Sequence, residues 1–394
     1  RRLHGNPPPT GLWEAFGASL RDWDLRSAMV QFFFDLLTTS WPIWRLLRLL
    51  ATPTRAAEEG ASTLRDLLVD DRPGVLLLGG SNTTFQWGSF TVRGRQVARG
   101  LRRYAHWDAR AWNGDCESWC DLQSSWQPLV VVHIKYICSC SCSLYPAAVQ
   151  IYDPIDIIGP RMEHELLQAN CSVHGVLVQT SLAARDYQTH PTLQGIAEFV
   201  HMPMHHSNFA GLRRDFEEPV EVVGVHTIHK DDDLQIAAEA TLREFPGLQF
   251  VHLNPMELFS STQGKVITPS HTSEITSQLL QLDIAFARQS GCATTPWICA
   301  RFKTGQRLVN LMAVGVPAVV WGDNAGFLEV APGYPTVRSV EEGMLMLRML
   351  VENATLRKEL SQLGLHLSEA YSLPSTVGRY DAVFRRFLRA NVSL

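Results

Sequence analysis

Phe302-Lys303-Thr304-Gly305-Gln306-Arg307-Leu308-Val309-Asn310-Leu311-Met312-Ala313-Val314-Gly315-Val316-Pro317-Ala318-Val319-Val320 decides how the rest of the chain is read. It is a polar loop with two cations four residues apart, then one or two apolar turns of helix. Gly315 and Pro317 then punctuate the entry to a short buried strand. Cations at the start of a helix lie beside its free N–H groups, and that combination favours a diphosphate. The competing reading of Lys303 and Arg307 is two solvated surface charges.

Working outward, the same strand-loop-helix grammar recurs on both sides. Upstream, Val220-Glu221-Val222-Val223-Gly224 predicts a strand, followed by a helix around 233–245 and strands at 249–253, 284–287 and 318–321. Further upstream, 75–78, 129–134, 149–152, 176–178 and 198–201 are short β-branched runs, and 90–104 has helical spacing ending in arginines. Strands separated by helical stretches predict two Rossmann-like doubly wound α/β domains facing a cleft. The boundaries follow from the polar, proline-bounded stretch between the two series. They are a helical extension over 1–73, a first domain over 74–205, a linker over 206–219, a second domain over 220–375 and a returning helix over 376–394.

The 302–320 stretch resembles the donor-binding segment of GT-B glycosyltransferases, in which a helix leads through Gly-X-Pro into a strand. Asp323-Asn324-Ala325-Gly326-Phe327-Leu328-Glu329-Val330 is similar to that family's glycine loop and following glutamate, and 339–363 to its closing helices. Val222-Val223-Gly224 with Lys230 is similar to the first strand of its nucleotide domain. The resemblance implies transfer of a sugar from a nucleotide-sugar to an acceptor hydroxyl on a glycan, protein or lipid. It implies donor contacts from Lys303, Arg307, Gly326, Glu329, Gly224 and Lys230, with no metal and no cofactor beyond the donor. One departure stands out. Many retaining members carry two glutamates seven residues apart, and the matching positions here are Phe302 and Asn310. Retaining and inverting chemistry both stay open, as does a glycosyltransferase-like subunit without activity.

In the first domain, His133 ends a predicted strand and is expected to face the cleft as a base or sugar contact. Asp153, with Asp156 close behind, ends the neighbouring strand and is expected to serve as base toward the acceptor. Gly79-Gly80 and the loop beyond predict close backbone approach to a ligand, with Gly88 and Ser89 as the phosphate or acceptor contacts. His201, His205 and His206 read as linker histidines, not a metal site. The chain lacks a full Gly-X-Gly-X-X-Gly fingerprint, which argues against an oxidoreductase.

Composition bounds the rest. The 394 residues are 45% hydrophobic and 19% charged, with a net charge of -4 and no basic block, so nucleic acid is not expected as a partner. Eight cysteines, clustered at 116/120 and 138/140/142 with 171, 292 and 299 beyond, lack the paired two-residue spacing of a zinc knuckle. Their even number and four Asn-X-Ser/Thr sequons, at Asn82, Asn170, Asn353 and Asn391, favour a glycoprotein of the secretory pathway or Golgi over a cytoplasmic protein. No cleavable signal peptide is read at the Arg1-Arg2 start. The aromatic stretch 12–50 is expected to touch a membrane surface or a partner, being too interrupted by Asp35, Pro42, Arg45 and Arg48 to span a bilayer.

Overall fold

The computed structural model describes residues 72–79, 90–112, 116–121, 126–155, 159–206, 219–226, 231–253, 265–267, 277–288 and 301–392. The chain divides at Asp71/Arg72, and every described residue lies in the second unit. The expectations for the N-terminal extension and for Gly88, Ser89, Asp156, Lys230 and most of the linker lie outside the described residues.

Two parallel six-stranded sheets form the frame. The first holds β1 (Gly74–Gly79), β2 (Asp108–Trp112), β3 (Val130–Ile134), β4 (Val149–Asp153), β5 (Gly175–Val178) and β6 (Glu198–His201), in the order β2-β1-β3-β4-β5-β6. The second holds β7 (Val222–His226), β8 (Gln249–Leu253), β9 (Lys265–Ile267), β10 (Ile284–Ala287), β11 (Ala318–Trp321) and β12 (Thr336–Val337), in the order β12-β11-β10-β7-β8-β9. β1, β3, β4 and β5 are buried along their whole length, as strands covered by helices on both faces must be. That is why they read in the sequence as unbroken apolar runs. Each sheet reverses its winding once, between β1 and β3 in the first and between β7 and β10 in the second, which is where open sheets of this kind bind ligands.

Helix starts follow local chemistry. Asp231 accepts from Leu234 N to cap Asp232–Glu244, whose first turn carries two further aspartates. Thr180, Asn324, Ser339 and Asn353 cap their helices in the same way. The helical run expected over 90–104 is a π-helical segment, Thr91–Gln96, continued by Val97–Tyr104.

The last helix, Leu373–Val392, leaves the second domain and returns to the first. Leu373, Val377, Tyr380, Phe384 and Phe387 recur at helical spacing and join the core formed by β1, β3, β4 and Val97–Tyr104. Trp107 meets Phe384 edge-on at 5.7 Å and donates its ring N–H to Asp381 at 2.6 Å. Among the described residues, six cysteines pair as Cys116–Cys138, Cys120–Cys140 and Cys142–Cys171. Among those residues, no helix is long and apolar enough to cross a membrane.

Candidate active site

The two residues expected to do chemistry in the first domain are sealed in its interior. His133 is 0% exposed. Its Nδ1 accepts from Cys138 N at 3.1 Å, so the neutral ring carries its proton on Nε2 and donates to Gln150 Oε1 at 2.9 Å. Burial pushes its pKa down to about 4, with the Gln150 bond opposing. The expected base at the cleft is therefore a neutral, doubly bonded core histidine. On a strand buried on both faces, position 133 points into a helix-covered layer, even though it lies one residue from the carboxyl end.

Asp153 is likewise 0% exposed and forms an ion pair with Arg93, Nε to Oδ2 at 2.8 Å. Tyr380 donates its hydroxyl to the same oxygen at 3.2 Å, and Arg93 also donates to the carbonyls of Met202 and Pro203. Burial pushes the Asp153 carboxyl up while the Arg93 charge pulls it back. This corrects the second expectation. Asp153 joins β4, the π-helical segment, the end of β6 and the returning helix, and its carboxylate is closed off from solvent.

The two cations expected of the second domain flank one helix start. Lys303 and Arg307 are half-buried, and Arg307 lies in the first turn of Gln306–Ala313. That helix starts at Gly305 without a side-chain cap. His226, the last residue of β7, stands close enough to Arg307 for the cation to lower its pKa, which burial first and then Arg307 and His252 bring down to about 3. The ring is thus neutral beside a guanidinium, at the switch point of the sheet. Beside it Arg288, just past β10, pairs with Asp231 at 3.4 Å, with Asp323 at 3.6 Å and with Asp233, and lies 5.6 Å over the Trp321 ring. Of these, the sequence reading includes only Asp323, at the head of the glycine-loop motif. The signal for His226 and Arg288 is their position directly after an apolar run, and Asp231 and Asp233 carry none beyond the start of a helix.

Gly326 and Gly224 have packing reasons. A Cβ on Gly326 would lie 2.4 Å from Lys303 O and 2.6 Å from Gly305 N, so the glycine lets two backbone segments cross where the cationic loop begins. A Cβ on Gly224 would lie 2.5 Å from Leu282 Cδ2 and 2.8 Å from Val251 O.

Glu329 departs from its expected place at a donor. Its Oε2 accepts from Ser181 N and Ser181 Oγ at 2.8 and 2.9 Å, and its Oε1 stands 2.6 Å from His201 Nε2. Burial pushes its pKa up, but His201 and Ser181 outweigh that and hold it below the usual range. The seam continues through Thr180, which donates to Arg301 O, and Arg301, which pairs with Asp186 at 2.7 Å. Phe302 stacks on Tyr187 with centroids 4.9 Å apart, and the pair lines a small apolar pocket with Pro154, Ile155 and Gln179. At the two positions where glutamates were absent, Phe302 and Asn310 are both buried. Two non-glycine residues with positive φ, Lys135 (76°) and Ile155 (51°), follow β3 and β4. For the β-branched Ile155 this is a strained conformation held by its surroundings.

No protein-family profile matches the chain, and no curated protein matches it in sequence. Solved structures do. The O-GlcNAc transferase of Thermobaculum terrenum superposes with a TM-score of 0.50 at 13% identity, over 82% of this chain and 68% of that one. The T4 phage β-glucosyltransferase, solved with its UDP-glucose substrate, gives 0.53 at 11% identity over 80% and 99%. The N-terminal domain of trehalose-6-phosphate phosphatase from Candida albicans gives 0.51 at 8% identity over 81% and 98%. The chain has the GT-B fold. At these identities the likeness is one of architecture. The expectation that nucleic acid is not a partner gains no support from it, because the β-glucosyltransferase is a DNA-modifying enzyme.

Proposed function

We propose that this GT-B protein is a glycosyltransferase that uses a nucleoside-diphosphate sugar, with the diphosphate held in the second domain. The observation that carries the reading is that Arg307 stands within electrostatic range of His226. They come from separate elements, an uncapped helix start and the end of β7, at the switch point of the sheet. Arg307 and Lys303 would stabilise charge on the departing diphosphate, while His226 donates or accepts a single hydrogen bond without repelling the cation. The acceptor hydroxyl attacks the anomeric carbon as the bond to the diphosphate breaks. Its proton passes to a base at the carboxyl ends of the first sheet's strands, where Lys135 and His201 are half-exposed. The UDP-glucose of the phage enzyme makes a uridine diphosphate sugar the first donor to try.

Binding of UDP, GDP, ADP and CMP, read by calorimetry and thermal shift, tests this against Lys303→Ala and Arg307→Ala. A ligand that binds only the folded chain raises stability by about 2.7 kcal/mol at a hundredfold excess over Kd. One nucleotide that binds, and loses binding in both variants, supports the proposal. No binding by any of the four removes it in favour of a second reading, a GT-B subunit without activity. The observation favouring that alternative is Glu329, whose two oxygens are both taken up by the first domain.

A further inference from the structure

Two of the three bridges, Cys116–Cys138 and Cys120–Cys140, lie against each other. Cys116 and Cys120 are one helical turn apart on Cys116–Asp121, so their sulfurs share a face. Cys138 and Cys140 open the neighbouring helix, Ser139–Leu144. The Sγ of Cys140, bonded to Cys120, also lies 3.3 Å from the Sγ of Cys116 and 3.5 Å from that of Cys138. The sulfurs of Cys116, Cys138 and Cys140 therefore all lie within 4.8 Å of one another, and Cys120, bonded to Cys140, joins them in one knot built from two short helices. The knot rims an apolar cluster of Leu76, Leu78, Trp119, Val131 and Tyr145.

A tetrahedral zinc centre with Zn–S bonds of about 2.3 Å separates its sulfurs by about 3.8 Å. Contacts of 3.3 and 3.5 Å between the pairs are already near that spacing. We propose that, while these cysteines are thiols, Cys116, Cys120, Cys138 and Cys140 bind one zinc ion as a closed tetrathiolate centre. Four thiols release four protons, four sulfurs bond the metal, and no oxidant or reductant takes part. With four protein ligands there is no open position, so the centre is structural. It fastens the two helices over the outer face of β1 and β3. His133 is not a fifth partner, because both of its ring nitrogens are already engaged. Cys142 and Cys171 remain a separate pair. The compartment decides between the two states, since thiols persist only where the redox poise is reducing.

The test uses the full chain made in zinc-supplemented cells and purified without oxygen. Zinc per chain is measured by elemental mass spectrometry, and free thiols by alkylation and intact mass. The expected result is about one zinc per chain. It falls to background in Cys120→Ser and in Cys140→Ser and is retained in Cys171→Ala. Cobalt exchanged into the same protein is expected to show sulfur-to-metal charge transfer and the strong visible bands of a tetrahedral tetrathiolate. The cobalt spectrum of the unmodified chain needs no variant to fold. Zinc at background in the unmodified chain, whether its thiols are free or bridged, overturns the proposal. Zinc unchanged in Cys120→Ser and Cys140→Ser, or a cobalt spectrum without sulfur bands, does the same.

Discussion

Glu329 Oε1 stands 2.6 Å from His201 Nε2, although His201 ends the last strand of the first sheet and Glu329 belongs to a helix of the second domain. With Ser181 supplying two more hydrogen bonds, this carboxylate fastens one domain to the other. Glu329→Ala is expected to lower stability by about 1–2 kcal/mol, the scale of a partly exposed charged hydrogen-bond group. Urea unfolding measures that loss. Small-angle scattering, expected to show a larger radius of gyration, reports whether the seam also opens.

Asp153 and Arg93 form a buried pair, and removing one partner leaves the other charged without compensation. Asp153→Ala is expected to cost about 3–5 kcal/mol. Tyr380→Phe, which deletes only the third member's hydroxyl, is expected to cost about 1 kcal/mol. Chemical denaturation of both variants checks the ranking. Near-equal costs would contradict the ion pair as the central contact.

At Gly326 a single methyl group would meet backbone, which cannot rotate aside. Gly326→Ala is expected to cost about 1–3 kcal/mol as overpacking. It is also expected to weaken nucleotide binding more than Gly378→Ala, an equal change where nothing lies within 4 Å. Comparing unfolding midpoints and nucleotide affinities of the two variants separates the effects.

Five histidines set an acid limit. Burial foremost holds His133, His206 and His252 at about 4 and His205 and His226 at about 3, against about 6.5 in an unfolded chain. The unfolded state then binds more protons as pH falls below 6.5. Their contribution is fully present above that value and is lost as pH drops toward 4. Each histidine adds a slope of about 1.4 kcal/mol per pH unit in this window. Denaturation at a series of pH values is expected to show the steep loss, and His133→Gln a shallower one. A flat profile across the window would contradict it.

The order of elements is legible because strands buried on both faces are written as apolar runs, as at 284–287 and 318–321, and the less covered 198–201 and 249–253 still carry an apolar centre. Three strands escaped. Asp108–Trp112 is an edge strand with charged, half-exposed positions, and Lys265–Ile267 and Thr336–Val337 are too short to show a period. The cations at 303 and 307 were visible because their spacing is local. His133 and Asp153 misled for the opposite reason. A sequence gives a residue's place along a strand but not which layer covers it, and the groups that close over Asp153 are distant in the chain. Arg93 lies 60 residues before Asp153, and Tyr380 lies 227 residues after it. The joining of Glu329 to His201, the approach of Arg307 to His226 and the gathering of four sulfurs are likewise set by how helices land on sheets. Local spacing carries no record of that, because the energy that selects it is burial and pairing between distant segments.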